Sequence, residues 1–182
     1  MRDPDLDLRE PIVLRDGREA LIRVTRPDDK PRLQAAFAQL DPQTIYTRFF
    51  SYRKEIPDRA FERIAEIDFV HLAGLVVTLG SGDREIVIAG ASYVSRVAAD
   101  GKRVAEVAFT VEEDFQGQGL ATRLFGALLG LARRHGIARF EAEVLAGNSP
   151  MLAVFRHCGL PMSSRREGSV VHLEMDLAAG PG

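Results

Sequence analysis

Two glycines in the segment QGQGLAT, residues 116–122, directly precede an apolar pattern that predicts a helix. Gly117 and Gly119 allow the backbone to come close to a ligand. The free N–H groups at the start of a helix carry partial positive charge and favour an anion. This segment is therefore typical of a strand-to-helix turn that binds phosphate.

Two common phosphate-binding motifs fit the segment less well. The pattern Gly117-x-Gly119-x-x-Thr122 is an incomplete dinucleotide fingerprint, and no repeated strand-helix-strand pattern surrounds it. A P-loop would require Gly-Lys-Ser or Gly-Lys-Thr after the glycines, and none follows. A dinucleotide site is the least favoured of the interpretations that remain open.

The turn resembles the acetyl-CoA signature of the GNAT superfamily, Gln/Arg-x-x-Gly-x-Gly/Ala, with Gln116, Gly119 and Ala121 at the defined positions. The order of the predicted elements around it also matches, over about residues 20–177. The resemblance implies an acetyl-CoA-dependent N-acetyltransferase. It also implies an α+β GNAT fold, with a mixed, mostly antiparallel central sheet flanked by helices.

The same resemblance implies which residues bind acetyl-CoA, through the pyrophosphate at the turn and the pantetheine amides along the preceding strand. The expected binding residues are Phe109, Val111, Gln116, Gly117, Gln118, Gly119, Leu120, Ala121, Thr122 and Asn148. Asn148 matches an asparagine that often contacts the pantetheine arm. Asparagine is also a favoured helix N-cap, and both interpretations of Asn148 stay open.

Glu106 is the ionisable residue in the apolar run 104–111 that leads into the turn. An amine acceptor such as lysine, with a pKa near 10.4, is protonated at neutral pH and needs a base close by. Burial would raise the pKa of a glutamate toward neutrality, whereas an alternating strand would place it in solvent. The segment Ala105–Ala108 resembles the Ala-Glu-Phe-Ala-like segment of bacterial protein lysine acetyltransferases, which implies that Glu106 is the general base.

The resemblance does not supply a general acid or a metal. Where many GNAT enzymes carry a tyrosine on the helix after Asn148, this chain has Phe155, which has no proton to donate. The acid is expected elsewhere, or the thiolate leaves unaided. No cysteine and histidine cluster has zinc-ligand spacing, so no metal is expected.

A second resemblance concerns the acceptor. The segment 44–50, with Tyr46 and Arg48, together with Asp68 and the run 73–77, is similar to segments of bacterial protein lysine acetyltransferases. A protein lysine is therefore one expected acceptor, and acidic residues at 112–114 would favour its cationic side chain. A small-molecule amine or amino acid is the alternative acceptor. A non-catalytic acetyl-CoA sensor is the alternative function.

Hydrophobic periodicity and turn signals predict the elements that position these residues. In chain order they are a strand over 20–25, helices over 27–40, 42–50 and 57–67, strands over 72–79, 85–97 and 104–111, a helix over 120–135, a strand over 137–145, a helix over 148–157 and two strands around residues 167–168. Hairpin signals at 81–83 and 100–102 make the three middle strands consecutive and antiparallel.

Composition limits the class of protein. The chain has 182 residues, 46% hydrophobic, with a net charge of −2, which predicts a globular protein that binds no nucleic acid. One domain over 1–182 is expected, with 1–18 and 178–182 loosely ordered and no room for an appended regulatory domain. The single cysteine, Cys158, and the lack of a long apolar run indicate a cytoplasmic protein with no membrane partner. A homo-oligomer is compatible with the sequence.

Overall fold

The computed structural model describes residues 3–42 and 57–178, in which eight strands form one sheet. The strands are β1 (Arg9–Val13), β2 (Glu19–Val24), β3 (Leu72–Leu79), β4 (Ile86–Val97), β5 (Arg103–Val111), β6 (Arg139–Leu145), β7 (Met162–Glu167) and β8 (Val170–Asp176). Their order across the sheet is β1-β2-β3-β4-β5-β6-β8-β7. Neighbours are antiparallel except for β5 and β6, which are parallel. The expected α+β architecture with a mixed, mostly antiparallel sheet is confirmed.

Four α-helices flank the sheet within the described residues. They are α1 (Lys30–Gln39), α2 (Asp58–Glu62), α3 (Leu120–Arg134) and α4 (Ser149–Arg156). Helix α3 buries Leu124, Leu128 and Leu131 completely and ends before Gly136, which has a φ of +75°. In these same ranges, no helix combines the length and the apolar composition that a membrane crossing requires.

Different helices pack on the two faces of the sheet. Along β5 the side chains alternate, so Phe109 packs toward α3 against Phe125, with ring centroids 6.2 Å apart. Ala108 and Thr110 face the other way, toward the side that carries α1 and α2. The glycine turn therefore follows a strand whose two faces are turned toward the helices on both sides of the sheet.

The expectation that residues 1–18 are loosely ordered is wrong for residues 3–18. Strand β1 pairs with β2 along its whole length, and Ile12 and Leu14 are buried. Asp5 lies 2.9 Å from Arg134 and 3.0 Å from His135, at the end of α3. Because Ile12 is the one buried residue of β1, the strand has no alternating pattern that would predict it.

Other predicted elements are confirmed within a few residues, although the third predicted helix is α2 followed by a 3-10 turn over Arg63–Glu66. The predicted helix over 42–50 lies almost wholly outside the described residues, as do residues 179–182.

Strands β1 and β7 form the two edges of the sheet. Pro11 lies within β1, opposite Leu21 of β2, and has no backbone N–H. In β7 every residue from Ser163 to Glu167 is exposed. The β1 edge is therefore interrupted by a proline, and the β7 edge is exposed and polar.

A buried ion cluster connects β2 to the segment before α1. Arg23 is 2% exposed and donates to both oxygens of Asp29, at 2.7 and 2.6 Å, and Asp29 is fully buried. Arg23 also lies 3.0 Å from Glu85, before β4. Burial acts to raise the pKa of Asp29, but hydrogen bonds from Arg23 and from the Arg26 backbone outweigh it, and the pKa is lowered.

We expect Asp29→Asn to lower the free energy of unfolding by about 3–5 kcal/mol, because Arg23 would keep a buried charge without its main partner. Because folding lowers the pKa of Asp29, its contribution is complete above the unfolded pKa and is lost as the pH falls through the folded value. Urea unfolding at several pH values measures this effect. Asp28→Asn, at the exposed neighbour, is the control. An equal gap between variant and wild type at neutral and strongly acidic pH would contradict the assignment.

Candidate functional site

Strands β5 and β6 separate after three residue pairs. Val104, Ala105 and Glu106 pair with residues 139–141, and beyond Glu106 the two strands have no pairing with each other. Each strand keeps its antiparallel partner on the other side, because β5 pairs with β4 and β6 pairs with β8 along their full lengths. A wedge-shaped cleft therefore opens within an otherwise continuous sheet.

The glycine turn lies at the open end of this cleft. Gly117 and Gly119 have φ values of +76° and +79°, in the left-handed region that favours glycine. Gly119 is the N-cap of α3, where no side chain caps the helix and no acidic residue lies in the first turn. The first N–H groups of α3 are therefore left for an anion, and the helix dipole favours its charge.

The cleft has a volume of about 1060 Å³ and contains nearly all residues expected to bind acetyl-CoA. The expected residues that line it are Phe109, Val111, Gln116, Gly117, Gly119, Leu120, Ala121, Thr122 and Asn148. Gln118 does not line it, because its side-chain amide lies 3.4 Å from Asp16. Residues 145–147, at the end of β6, form part of the opposite wall.

Asn148 is the N-cap of α4. Its Oδ1 accepts a hydrogen bond from the backbone N–H of Met151 at 3.2 Å, so the capping interpretation is confirmed. The side-chain Nδ2 has no hydrogen-bond partner among the described residues. The cap therefore leaves a donor available at a residue that also lines the cleft.

Glu106 belongs to the last β5–β6 pair before the strands separate, opposite Glu141. Its side chain is exposed, so the burial considered for this residue is not found in the described structure. Glu141 is engaged, since Arg96 donates to its two carboxylate oxygens at 2.8 and 3.2 Å. Glu106 has no hydrogen bond or ion pair with any described residue. Of these two neighbouring carboxylates, Glu106 is the one available to a ligand.

Two further cavities lie on the Glu106 face of β5. A mostly apolar cavity of about 370 Å³ extends beside Ala108 and Thr110, between α1, α2 and the sheet. A polar cleft of about 440 Å³ begins at Glu106 and continues over β6, β8 and β7. Thr110 lines both the apolar cavity and the cleft at the glycine turn.

Glu112 also lines the apolar cavity. Burial, and then the nearby charges of Asp114 and Glu113, raise the pKa of this carboxyl. Glu112 was expected only as one of the acidic residues near the acceptor. Its position in an acidic run gave no sign of its burial.

Phe155 is 1% exposed and packs against Phe109 and Phe125 in the core. Helix α4 therefore presents a buried aromatic ring, and no hydroxyl group, at this position. Asp68 accepts hydrogen bonds from the backbone N–H groups of Val70, His71 and Leu72, so it supports the turn before β3. The acceptor segment with Tyr46 and Arg48 lies outside the described residues.

Arg15 is a cleft residue that was not predicted from the sequence. It lies in the turn between β1 and β2, and its Nη1 donates to the carbonyl oxygen of Gly117 at 2.8 Å. The two residues are 102 positions apart in the chain. No local sequence pattern could have indicated this contact.

Residues 41–160 match the Acetyltransferase (GNAT) family. The chain is 34% identical over 168 residues to acetyltransferase Pat of Mycolicibacterium smegmatis. That match covers 92% of this chain and 48% of Pat, so the chain spans about half the length of this curated relative.

Two solved structures resemble the fold. The GNAT domain of S. lividans PAT is 34% identical, with a TM-score of 0.82, over 97% of this chain and 99% of that one. This likeness confirms the GNAT fold. YncA from Salmonella typhimurium, solved with its cofactor acetyl-CoA, has a TM-score of 0.70 at 17% identity, over 90% of this chain and 98% of that one. At that identity the likeness concerns the fold alone.

Proposed function

Because the chain belongs to the GNAT acetyltransferase family, we propose that it transfers the acetyl group of acetyl-CoA to an amine, with Glu106 as the general base. One observation carries the proposal. Glu106 is the last β5 residue that pairs with β6, and the cleft lined by β5 from Phe109 onward ends at the glycine turn. A thioester held along the cleft would have its reactive end near Glu106 and its phosphates near Gly119.

The backbone of the cleft suits the cosubstrate. Beyond Glu106, β5 has no strand partner on the side of β6, so its backbone groups there can pair with the amides of a pantetheine arm. The N–H groups at the start of α3 would hold the pyrophosphate. YncA, which shares the fold, was solved with acetyl-CoA, and this is a fold-level reason for choosing this cosubstrate.

In the proposed reaction Glu106 accepts a proton from the acceptor ammonium group. The neutral nitrogen then attacks the thioester carbonyl carbon and the C–N bond forms. The nitrogen gives up a second proton, to water, and the C–S bond breaks. CoA leaves as a thiolate, which takes a proton from water. Phe155 has no role in that last proton transfer, because it carries no ionisable group.

The proposed acceptor is a protein lysine. Glu106 is exposed, so an acceptor attached to a large body can reach it from the surface. The polar cleft beside it is lined by four glutamates and by two arginines, Arg96 and Arg165, and this excess of acidic groups favours a cationic side chain. We place the reaction in the cytoplasm, since the single Cys158 cannot form an internal disulfide.

A small-molecule amine is the second candidate acceptor, and the apolar cavity favours it. A cavity of about 370 Å³ that meets the cleft at Thr110 could hold the apolar part of such a molecule. A non-catalytic acetyl-CoA sensor would bind the cosubstrate at the same turn and release no CoA with any acceptor.

The binding half of the proposal is tested at Gly119. We expect Gly119→Glu to weaken acetyl-CoA binding more than about tenfold, because the added side chain blocks close approach of the backbone to the pyrophosphate and its charge repels phosphate. Gly126→Glu is the matched control. It adds the same charge to α3 at an exposed position with open space around it. Calorimetric titration of both folded variants gives the dissociation constants, and equal affinities would reject the turn as the binding site.

The catalytic half is tested by comparing two glutamates. We expect Glu106→Gln to lower kcat by about 10²–10⁴-fold, the usual contribution of a general base, with acetyl-CoA affinity nearly unchanged. Glu112→Gln should change kcat far less. CoA release at neutral pH measures both effects. If Glu112→Gln caused the large loss and Glu106→Gln did not, Glu112 would be the base.

The acceptor is identified with labelled acetyl-CoA. The enzyme is incubated with a cytosolic lysate and, separately, with free lysine, polyamines and amino acids. We expect specific protein bands to be labelled, with wild type and not with Glu106→Gln. Strong turnover of one free metabolite without specific protein labelling would favour the small-molecule acceptor. CoA binding without release in any arm would favour the sensor.

A further inference from the structure

Arg15 lies beside both glycines of the turn. Its Nη1 donates to the Gly117 carbonyl oxygen at 2.8 Å, and a Cβ placed on Gly119 would lie 3.9 Å from its Nη2. The guanidinium group has five N–H donors, so one hydrogen bond leaves most of them unused. The cationic group also lines the cleft itself.

The charge of Arg15 is not neutralised locally. The adjacent Asp16 pairs instead with Arg18, which donates to it through Nε at 3.0 Å and Nη2 at 2.6 Å. Within residues 3–42 and 57–178, no carboxylate lies within ion-pair distance of Arg15. The β1–β2 turn therefore presents one cation to the cleft.

The β1–β2 turn is held against the glycine turn by two further contacts. Gln118 reaches Asp16 at 3.4 Å, and the Arg18 guanidinium carbon lies 4.7 Å from the centre of the Phe115 ring. Two residues that contribute nothing to the cleft, Asp16 and Gln118, thus help to position Arg15. The Arg15 side chain is exposed, and the turn that carries it is held in place, so its backbone needs no reordering to bind an anion.

The cosubstrate carries more phosphate than the backbone of the turn accounts for. The N–H groups at the start of α3 suit the pyrophosphate, but CoA has a second phosphate on the 3′ hydroxyl of its ribose. Because the C=O and N–H of a trans peptide point in opposite directions, Arg15 approaches the Gly117–Gln118 peptide from the side away from its N–H. Arg15 therefore does not cover the backbone N–H of Gln118.

We propose that Arg15 binds the 3′-phosphate of CoA and makes the enzyme select CoA over dephospho-CoA, an inference that rests on the proposed function. A guanidinium group and a phosphate match in charge and in paired hydrogen-bond geometry. Arg166, on β7, lines the same cleft from the other wall and bonds to the Gly168 carbonyl at 3.0 Å. It provides a matched control for the loss of one positive charge.

The test is a thermodynamic cycle with two ligands and two variants. Calorimetry gives the dissociation constants of CoA and dephospho-CoA for wild type, Arg15→Gln and Arg166→Gln. Glutamine at position 15 removes the charge and keeps a side-chain donor group. We expect wild type to prefer CoA by about ten- to hundredfold, the range for a charge-assisted hydrogen bond. Arg15→Gln should remove most of this preference, and Arg166→Gln should keep it.

The outcomes separate this inference from the proposed function. If Arg15→Gln weakens both ligands equally, or neither, Arg15 does not bind the 3′-phosphate and the inference is wrong. If the preference disappears in Arg166→Gln instead, the phosphate belongs to the other wall and the inference is wrong again. If wild type binds neither ligand, the proposed function itself fails.

Discussion

The separation of β5 from β6 is the constraint on which the candidate site depends. Three parallel pairs, ending at Glu106, hold the sheet together, and beyond them the facing backbone groups have no strand partner. Unpaired backbone groups in a protein interior are costly. The structure tolerates them because β4 and β8 fix the outer side of each strand, and because the cleft is open, so that water can reach the unpaired groups.

Aromatic packing keeps the cleft wall in place from behind. Phe109 contacts Phe125 of α3 and Phe155 of α4, and Phe125 in turn contacts Phe140 of β6. These rings connect both diverging strands to the two helices whose first residues form the cleft. Phe155 therefore has a clear packing role. Its ring is buried in the core, although it carries no hydroxyl group.

Local sequence patterns predict most of the fold and much of the site. The turn at 116–122, the helix after it and the antiparallel strands before it all depend on short-range signals such as glycine position and hydrophobic periodicity. The features that were missed depend on contacts between distant residues. Strand β1 buries one residue and shows no alternation, and Arg15 meets Gly117 across 102 positions.

The candidate base illustrates the same limit. Its place on β5 follows from the sequence, but its exposure depends on which elements cover that face of the sheet. Gln118 was expected in the cleft because it belongs to the motif. Its side chain instead turns to Asp16, in the turn that connects the unpredicted strand β1 to β2. A motif thus predicts where the backbone goes more reliably than it predicts what each side chain contacts.

The edges of the sheet also limit how copies of this protein can associate. Open edge strands can recruit a strand from another molecule, and repeated addition of this kind leads to fibrils. On one side Pro11 removes an N–H that an incoming strand would need, and on the other the exposed Arg165, Arg166 and Glu167 would bring charge into any new pairing. Both edges therefore disfavour the addition of a strand, which directs any association between copies toward the helices or the faces of the sheet.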